Sequence, residues 1–145
     1  MSIQYQTTDA GINYRDVASL MQEVEISSLP ADLVELSFKN SLYKVFAIDD
    51  ATGKLVGVGR ALSDGVLQAN IYNIAVSPTL QNQGVGRKII NNLLDQAAGQ
   101  IVTLYTHPKT FDYYENLGFS YLNTGFIRFL PQDKQWFIDE GFIDK

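Results

Sequence analysis

Apolar residues recur at helical spacing in two early segments, which predicts short helices over residues 13–24 and 30–40. Pro30 fits the second helix, because proline is favoured in the first helical turn. Runs rich in apolar and β-branched residues predict strands, and these runs occupy residues 2–8, 41–49, 54–62 and 66–76. A turn with Asp and Gly joins the second and third runs, so these two strands should form an antiparallel hairpin.

The last of these strands, residues 66–76, is apolar on both faces. Strict alternation places Ile71 and Ala75 on one face and Tyr72, Ile74 and Val76 on the other. We therefore expect a central strand that is covered on both sides.

A helix and another strand follow this central strand. The helix spans residues 84–98 with one apolar stripe, and residues 101–106 form a β-branched strand. This order implies a right-handed parallel crossover, so the predicted fold is an α/β sheet that begins antiparallel and gains one parallel strand. Beyond it we predict a short helix over 110–119, a hairpin of residues 121–124 and 126–130, and a helical tail over 132–145.

Composition excludes several classes of function. The 145 residues suit one domain, and residues 1–145 are predicted to form a single domain. The net charge of −5 comes without a basic stripe, so nucleic acid is not expected as a partner. Because no run has the length of a membrane helix and the N-terminus does not resemble a signal peptide, we expect a cytoplasmic protein with no membrane partner. Cysteine is absent and His107 is the one histidine, so no metal site is predicted.

The segment SPTLQNQGVGRKI, residues 77–89, places two glycines where the central strand meets the next helix. The first amides of a helix lack internal partners and carry the positive end of the helix dipole, which favours anions. The third glycine of the dinucleotide fingerprint and the Gly-Lys-Ser/Thr of a nucleotide P-loop are both absent. Two interpretations stay open here: a loop that holds a phosphate or pyrophosphate, and a tight turn that binds nothing.

The same segment resembles the acetyl-CoA motif of the GNAT superfamily of N-acetyltransferases. That motif is a strand, then Gln/Arg-x-x-Gly-x-Gly/Ala, then a helix, and Gln81, Gly84 and Gly86 fill its fixed positions. Asn82 stands where many members have glycine, and asparagine also tolerates left-handed backbone.

A second segment, HPKTFDYYENLGF at residues 107–119, is similar to the family's other signature, which ends in Tyr-Glu-Lys-Leu-Gly-Phe. Tyr114, Leu117, Gly118 and Phe119 match it, and Asn116 replaces the frequent lysine. Together the two motifs and the preceding hairpin extend the resemblance over roughly residues 40–120.

The resemblance implies a mixed, mostly antiparallel sheet, splayed around a β-α-β core that binds acetyl-CoA, with helices on both faces. It implies acetyl-CoA as co-substrate, with the pantetheine arm along the central strand and the pyrophosphate on the following loop. The residues that it assigns to this cofactor are Ile74, Ala75, Val76, Gln81, Asn82, Gln83, Gly84, Val85, Gly86, Arg87, Lys88 and His107.

The implied reaction is direct transfer of the acetyl group to a primary amine of a small molecule. The resemblance assigns Tyr114 as the general acid for the leaving thiolate. Asn73 is a candidate for orienting a water, and its alternative is an ordinary hydrogen-bonded strand residue. The central strand carries no carboxylate, so the general base stays open. Its candidates are Glu23, Glu25, Asp64 and His107.

Alternatives also remain for the acceptor and for the class of protein. Residues 1–80 carry five basic and nine acidic side chains, which fits either a polyamine-like or other cationic acceptor or simple solubility. A protein amino group also stays open as the acceptor. The rival class is a non-catalytic module that binds acetyl-CoA or another acyl-CoA and regulates a partner. Resemblance to the family suggests a homodimer, with Trp136, Phe137 and Phe142 as candidate interface residues.

Overall fold

Five strands form one sheet in chain order in the computed structural model of the protein, which describes residues 2–144. The chain divides into two compact units, Met1–Leu104 and Tyr105–Lys145, and the sheet lies in the first. Its strands are β1 Ile3–Gln6, β2 Tyr43–Asp49, β3 Leu55–Ser63, β4 Gln68–Val76 and β5 Ile101–Thr103. The helices of this unit are α1 Tyr14–Glu23, α2 Ala31–Lys39 and α3 Val85–Gln96. That residues 1–145 act as one domain stays a prediction.

Strands β1 to β4 pair antiparallel, and β4 pairs parallel with β5 across the α3 crossover. The prediction of a mixed, mostly antiparallel α/β sheet is therefore confirmed. The parallel strand is shorter than predicted, because β5 ends at Thr103 instead of residue 106.

Helices cover both faces of the sheet, as predicted. α1 and α2 pack on one face, where Tyr14 and Phe38 join Phe46 of β2 in a buried aromatic cluster. α3 packs on the other face, and Ile89 contacts the close-packed Gly59 of β3. The two faces together bury the core that holds β4 in place.

A β-bulge interrupts β4. Val58 of β3 pairs with Ala75 and Arg60 pairs with Tyr72, so β4 has one residue more than β3 between the two pairs. Asn73 lies in this interval and has left-handed backbone, with φ 57°. An extra residue of this kind bends the strand and increases its twist.

The bulge inverts the alternation of side chains along β4. Ala75 packs in the cluster beneath α1 and α2. Ile71 pairs with Ala61 on the α3 face, and Ile74 lies beside Gly59 on that same face. The prediction that Ile71 and Ala75 share a face was wrong, because a period of two cannot survive an inserted residue.

The second unit holds two short helices, α4 Phe111–Asn116 and α5 Lys134–Asp139. The prediction of a helix in the tail is confirmed over α5. Among the described residues of this unit, Phe137 is the one large hydrophobic side chain in the buried class. Trp136 is half exposed, at 52%, and its ring lies against Phe137 and Phe142.

The predicted hairpin of residues 121–124 and 126–130 was wrong, since no strand occurs in this segment. Tyr121, Leu122 and Leu130 are exposed, and Phe126 is fully so. A hairpin needs an apolar surface on which to bury one face, and these side chains are not buried.

Nowhere in residues 2–144 is there a helix with the length and apolar character needed to cross a membrane.

Candidate active site

The last part of β4 has one edge that β5 does not cover. The β4–β5 pairing ends with Asn70 and Thr103, whereas β4 runs on to Val76 with β3 as its partner. The resemblance implies that the sheet splays at this point. Extended backbone at such an edge can pair with an extended ligand as with an added strand. Ile74, Ala75 and Val76, the residues predicted for the pantetheine arm, lie in this stretch.

The loop after β4 is braced by its own side chains. Leu80 is buried and anchors the short 3-10 turn Pro78–Leu80. The Nε2 atom of Gln81 donates to the carbonyl of Val76 at 3.3 Å, and that of Gln83 donates to the carbonyl of Thr79 at 3.2 Å. Both glutamines therefore hold the loop against the main chain that leads into it.

Two residues of this loop adopt left-handed backbone, Asn82 with φ 65° and Gly84 with φ 84°. Gly84 precedes the first residue of α3, and a Cβ built there meets no protein atom within 4 Å. Glycine is thus favoured at position 84 by its backbone conformation and not by crowding within the protein. Asparagine adopts this region more readily than most residues, so Asn82 fits where many family members have glycine.

The start of α3 is arranged for an anion. It has no side-chain cap and no acidic residue in its first turn. Its first intrahelical bond runs from the Lys88 amide to the Gly84 carbonyl at 3.1 Å, which leaves the amides of 85–87 without intrahelical acceptors. Arg87 and Lys88 are exposed beside them. Free amides, a left-handed turn and two cations fit the phosphates of a ligand such as CoA.

Asn73, in the β4 bulge, is held by Arg60. The Nε of Arg60 donates to Asn73 Oδ1 at 2.7 Å, and its Nη1 donates to Ser41 Oγ at 3.2 Å. The guanidinium also lies 5.3 Å from the ring centroid of Tyr72. Asn73 is thus a hydrogen-bonded strand residue, and a role in orienting water stays a prediction. Sequence reasoning missed Arg60, although a charged residue inside the apolar run VGVGRAL was a usable signal.

Tyr114 lies on α4 in the second unit, and the signature that contains it closes the helix. The amide of Phe119 donates to the Tyr114 carbonyl at 3.1 Å, and that of Gly118 donates to the Glu115 carbonyl at 3.0 Å. With Gly118 at φ 95°, this is the Schellman arrangement of a helix end. The Phe119 ring packs edge-on against Tyr114 with centroids 5.7 Å apart. The Leu-Gly-Phe ending therefore fixes the tyrosine ring.

The surroundings of Tyr114 keep its hydroxyl protonated. Burial raises the pKa of Tyr114 above its ordinary value, and the neighbouring Tyr113 raises it further. A side-chain hydrogen bond with Thr106 acts in the opposite direction. At neutral pH the phenol therefore carries the proton that an acid must have.

Both ring nitrogens of His107 are engaged within the second unit. Nδ1 accepts from the Lys109 amide at 3.1 Å, and Nε2 lies 3.0 Å from Glu140 Oε2. Since Nδ1 is the acceptor, Nε2 carries the proton and donates to the carboxylate. A contact of His107 with acetyl-CoA, or a role as base, stays a prediction.

The carboxylates considered as the base are surface groups. Glu23 ends α1 and Glu25 follows it, both exposed. Asp64 Oδ1 accepts the amides of Val66 and Leu67 at 2.8 and 2.7 Å, and these backbone bonds lower its pKa. Asp64 is thus committed to the β3–β4 turn as an acceptor.

Comparison with known proteins identifies the family. Residues 41–121 match the model of the acetyltransferase (GNAT) domain, which is more than half of the chain. The chain belongs to the GNAT acetyltransferase family. The matched segment contains the β4 bulge, the loop onto α3 and the Tyr114 signature, so the motifs quoted from the sequence lie inside it.

Relatives and solved structures agree with this assignment to the GNAT family. The chain is 32% identical over 120 residues to an uncharacterized N-acetyltransferase, ycf52, of Pyropia yezoensis, covering 79% of this chain and 69% of that one. It is 30% identical over 121 residues to histone acetyltransferase TAP1 of Glycine max, covering 74% and 52%. The solved structure of a GNAT-family acetyltransferase from Streptococcus pneumoniae TIGR4 superposes with a TM-score of 0.75 at 25% identity, covering 90% of this chain and 99% of that one.

Proposed function

We propose that this GNAT protein transfers the acetyl group of acetyl-CoA to a primary amine of a small molecule. One observation carries the proposal: the uncovered edge of β4 leads directly into the uncapped, positively charged start of α3. A continuous main-chain path of this kind suits a ligand with an extended arm and a pyrophosphate. Transfer to an amine rests on the family resemblance and is the part that an experiment must decide.

Each part of this path has a proposed role toward acetyl-CoA, which supplies an acetyl group activated as a thioester. The backbone of 74–76 pairs with the pantetheine arm. The amides of residues 81–87 hold the pyrophosphate, and Arg87 and Lys88 add positive charge. His107 is proposed as a further cofactor contact from the second unit.

Tyr114 is proposed as the general acid. Its raised pKa keeps the proton on the hydroxyl oxygen until a departing thiolate requires it. Asn73 is proposed to orient a water through its side-chain NH2 group, because Arg60 binds the Oδ1 atom of the same amide. We further propose a cytoplasmic location and a homodimer formed through the aromatic tail.

The experiment is a calorimetric titration with acetyl-CoA, followed by a thiol-release assay over a panel of amines. Tyr114→Phe should lower turnover by roughly a hundredfold or more, as loss of a positioned general acid does, with acetyl-CoA affinity unchanged within about twofold. Tyr113→Phe is the matched control, since it removes the adjacent phenol. Equal turnover in wild type and Tyr114→Phe would exclude Tyr114 as the acid.

The second candidate is a non-catalytic module that binds acetyl-CoA or another acyl-CoA. It is favoured by the absence of a carboxylate from β4 and by the engagement of Asn73 with Arg60. Tight acetyl-CoA binding without thiol release on any amine would support this module and overturn the enzyme.

A further inference from the structure

Arg60 is a partly buried cation within the sheet, and it is fixed in place. Two of its five N–H groups are used, one on Asn73 Oδ1 at 2.7 Å and one on Ser41 Oγ at 3.2 Å. Ser41 is itself buried and donates to the Ser37 carbonyl at 2.7 Å. The guanidinium is therefore oriented before any ligand arrives, with N–H groups left over.

No acid within residues 2–144 pairs with this cation. Among the described residues Arg60 forms no ion pair with a carboxylate. Burial lowers its pKa from the ordinary value, which records the cost of keeping the charge there. Removing a charge from water without an opposite partner is unfavourable, so such a site is stabilised when an anion binds.

Its neighbour across the sheet makes the local charge more positive. Arg60 lies opposite Lys44 of β2, and directly opposite residues share one face of a sheet. Lys39 forms an ion pair with Asp9 at 3.1 Å and is the main cause of the lowered pKa of that carboxyl group. The positive charge of Lys44 lowers the pKa of Asp9 further. Lys39 also pairs with Glu35 at 3.7 Å, so both acids near these lysines are engaged by Lys39, and neither forms an ion pair with Arg60.

The position of Arg60 connects it to the proposed reaction. Tyr72 of β4 lies opposite Arg60. Asn73, to which Arg60 donates a hydrogen bond, lies in the bulge that follows the last β4–β5 pair. The uncovered β4 edge begins at this point. A group bound by Arg60 therefore lies beside the stretch of β4 along which acetyl-CoA is proposed to bind.

We propose that Arg60 binds an anionic group of the acceptor, so that the substrates are amines carrying a carboxylate or a phosphate. This inference rests on the proposed acetyl transfer. It favours amino-acid-like or phosphorylated amines over the polyamine-like or other cationic acceptor that was one interpretation of the acidic first half of the sequence. Guanidinium N–H groups bind both oxyanions, often in pairs, which lysine cannot reproduce.

The test compares acceptors that differ in one group. The carboxylate arm sets glycine, β-alanine and γ-aminobutyrate against their carboxamides, and the phosphate arm sets O-phosphoethanolamine against ethanolamine. In wild type, kcat/KM in at least one arm should favour the anionic member by about tenfold or more, the worth of a hydrogen bond to a charged group. The inference would be overturned if the neutral member were preferred in both arms, or if putrescine were preferred over the anionic members of both arms.

Arg60→Gln should lower kcat/KM for the anionic amines about tenfold more than for the neutral amines, because it removes the charge but keeps a donor. The affinity for acetyl-CoA should stay within about twofold of wild type. Lys54→Gln, in the exposed β2–β3 turn, removes the same charge elsewhere and should change nothing. If Arg60 served only to hold the bulge, Arg60→Gln would lower turnover of neutral and anionic amines equally.

A binding readout covers the case in which the variant does not fold or no acceptor turns over. In wild type, the Nε–Hε nuclear magnetic resonance signal of Arg60 should shift and saturate with glycine or O-phosphoethanolamine, and not with ethanolamine. An unchanged signal with every anionic probe would overturn the inference. Failure of the proposed function has a different signature, which is no heat of binding with acetyl-CoA.

Discussion

α1 and α3 pack against the sheet in the same way but begin in opposite ways. Each buries an apolar stripe of four residues: Tyr14, Val17, Leu20 and Met21 on α1, and Val85, Ile89, Ile90 and Leu93 on α3. At the start of α1, Asn13 Oδ1 accepts the Arg15 amide at 3.0 Å and Asp16 lies in the first turn. At the start of α3, Gly84 offers no side chain and the nearest charges are positive.

The difference separates a helix start that is capped by a side chain from one whose first amides are left without acceptors. A side-chain cap contributes about 1 kcal/mol, and an acid in the first turn adds a few tenths more. α3 forgoes both, although its loop contains polar residues that occur commonly as caps. The unmet amides then remain for an anion, which is the physical support for placing the CoA phosphates there.

The largest effect is expected from Gly84→Val. A β-branched residue is strongly disfavoured at φ 84°, so the turn must change and the amides must move. We expect acetyl-CoA affinity to fall roughly a hundredfold, the loss of one or two charge-assisted hydrogen bonds. Calorimetric titration measures this effect.

Gly84→Asn serves as the matched control for the backbone conformation. Asparagine tolerates the left-handed region, and a Cβ at this position meets no protein atom within 4 Å. Most of the affinity should therefore survive. If Gly84→Asn lost as much acetyl-CoA affinity as Gly84→Val, the site would depend more on the space that glycine leaves open than on the left-handed turn.

Arg87→Glu is expected to have an intermediate effect on acetyl-CoA affinity, which should fall, while the stability of α3 should rise. The acid should stabilise α3 by about 0.3–1 kcal/mol through the helix dipole. It should also lower acetyl-CoA affinity by roughly tenfold, and less in high salt, because exposed charges are screened. Denaturant unfolding and calorimetry at two salt concentrations measure these effects, with Lys54→Glu as the control for net charge. Unchanged affinity in Arg87→Glu would remove this residue from the anion site.

The sequence predicted the elements well wherever one period governed a segment. α1, α3 and the strands from β1 to β3 each follow a single apolar pattern, and each occurs close to its predicted bounds. The left-handed tolerance expected of Asn82 was confirmed by its φ of 65°. Local chemistry was enough in these cases, because burial on one face fixes both element and orientation.

The errors arose where the outcome depended on contacts distant in sequence. Nothing in the residues of β4 marks Asn73 as an inserted residue, because the bulge is defined by the pairing with β3. The segment after Phe119 has a strand-like composition but leaves Phe126 and its neighbours exposed. Arg60 escaped notice for the same reason, since Ser41 and Asn73 reach it from other parts of the chain.

The smallest effect on acetyl-CoA affinity is expected from Asn13→Ala, which makes the start of α1 resemble that of α3. Loss of the cap should lower the free energy of unfolding by about 1 kcal/mol, measured by denaturant unfolding. Affinity should stay within about twofold, because α1 lies on the face of the sheet opposite α3. Asn13→Ser, which keeps a capping oxygen, should restore the stability. A drop in affinity as large as that in Arg87→Glu would mean that the two helix starts are coupled, and the contrast between them would then no longer locate the anion site at α3.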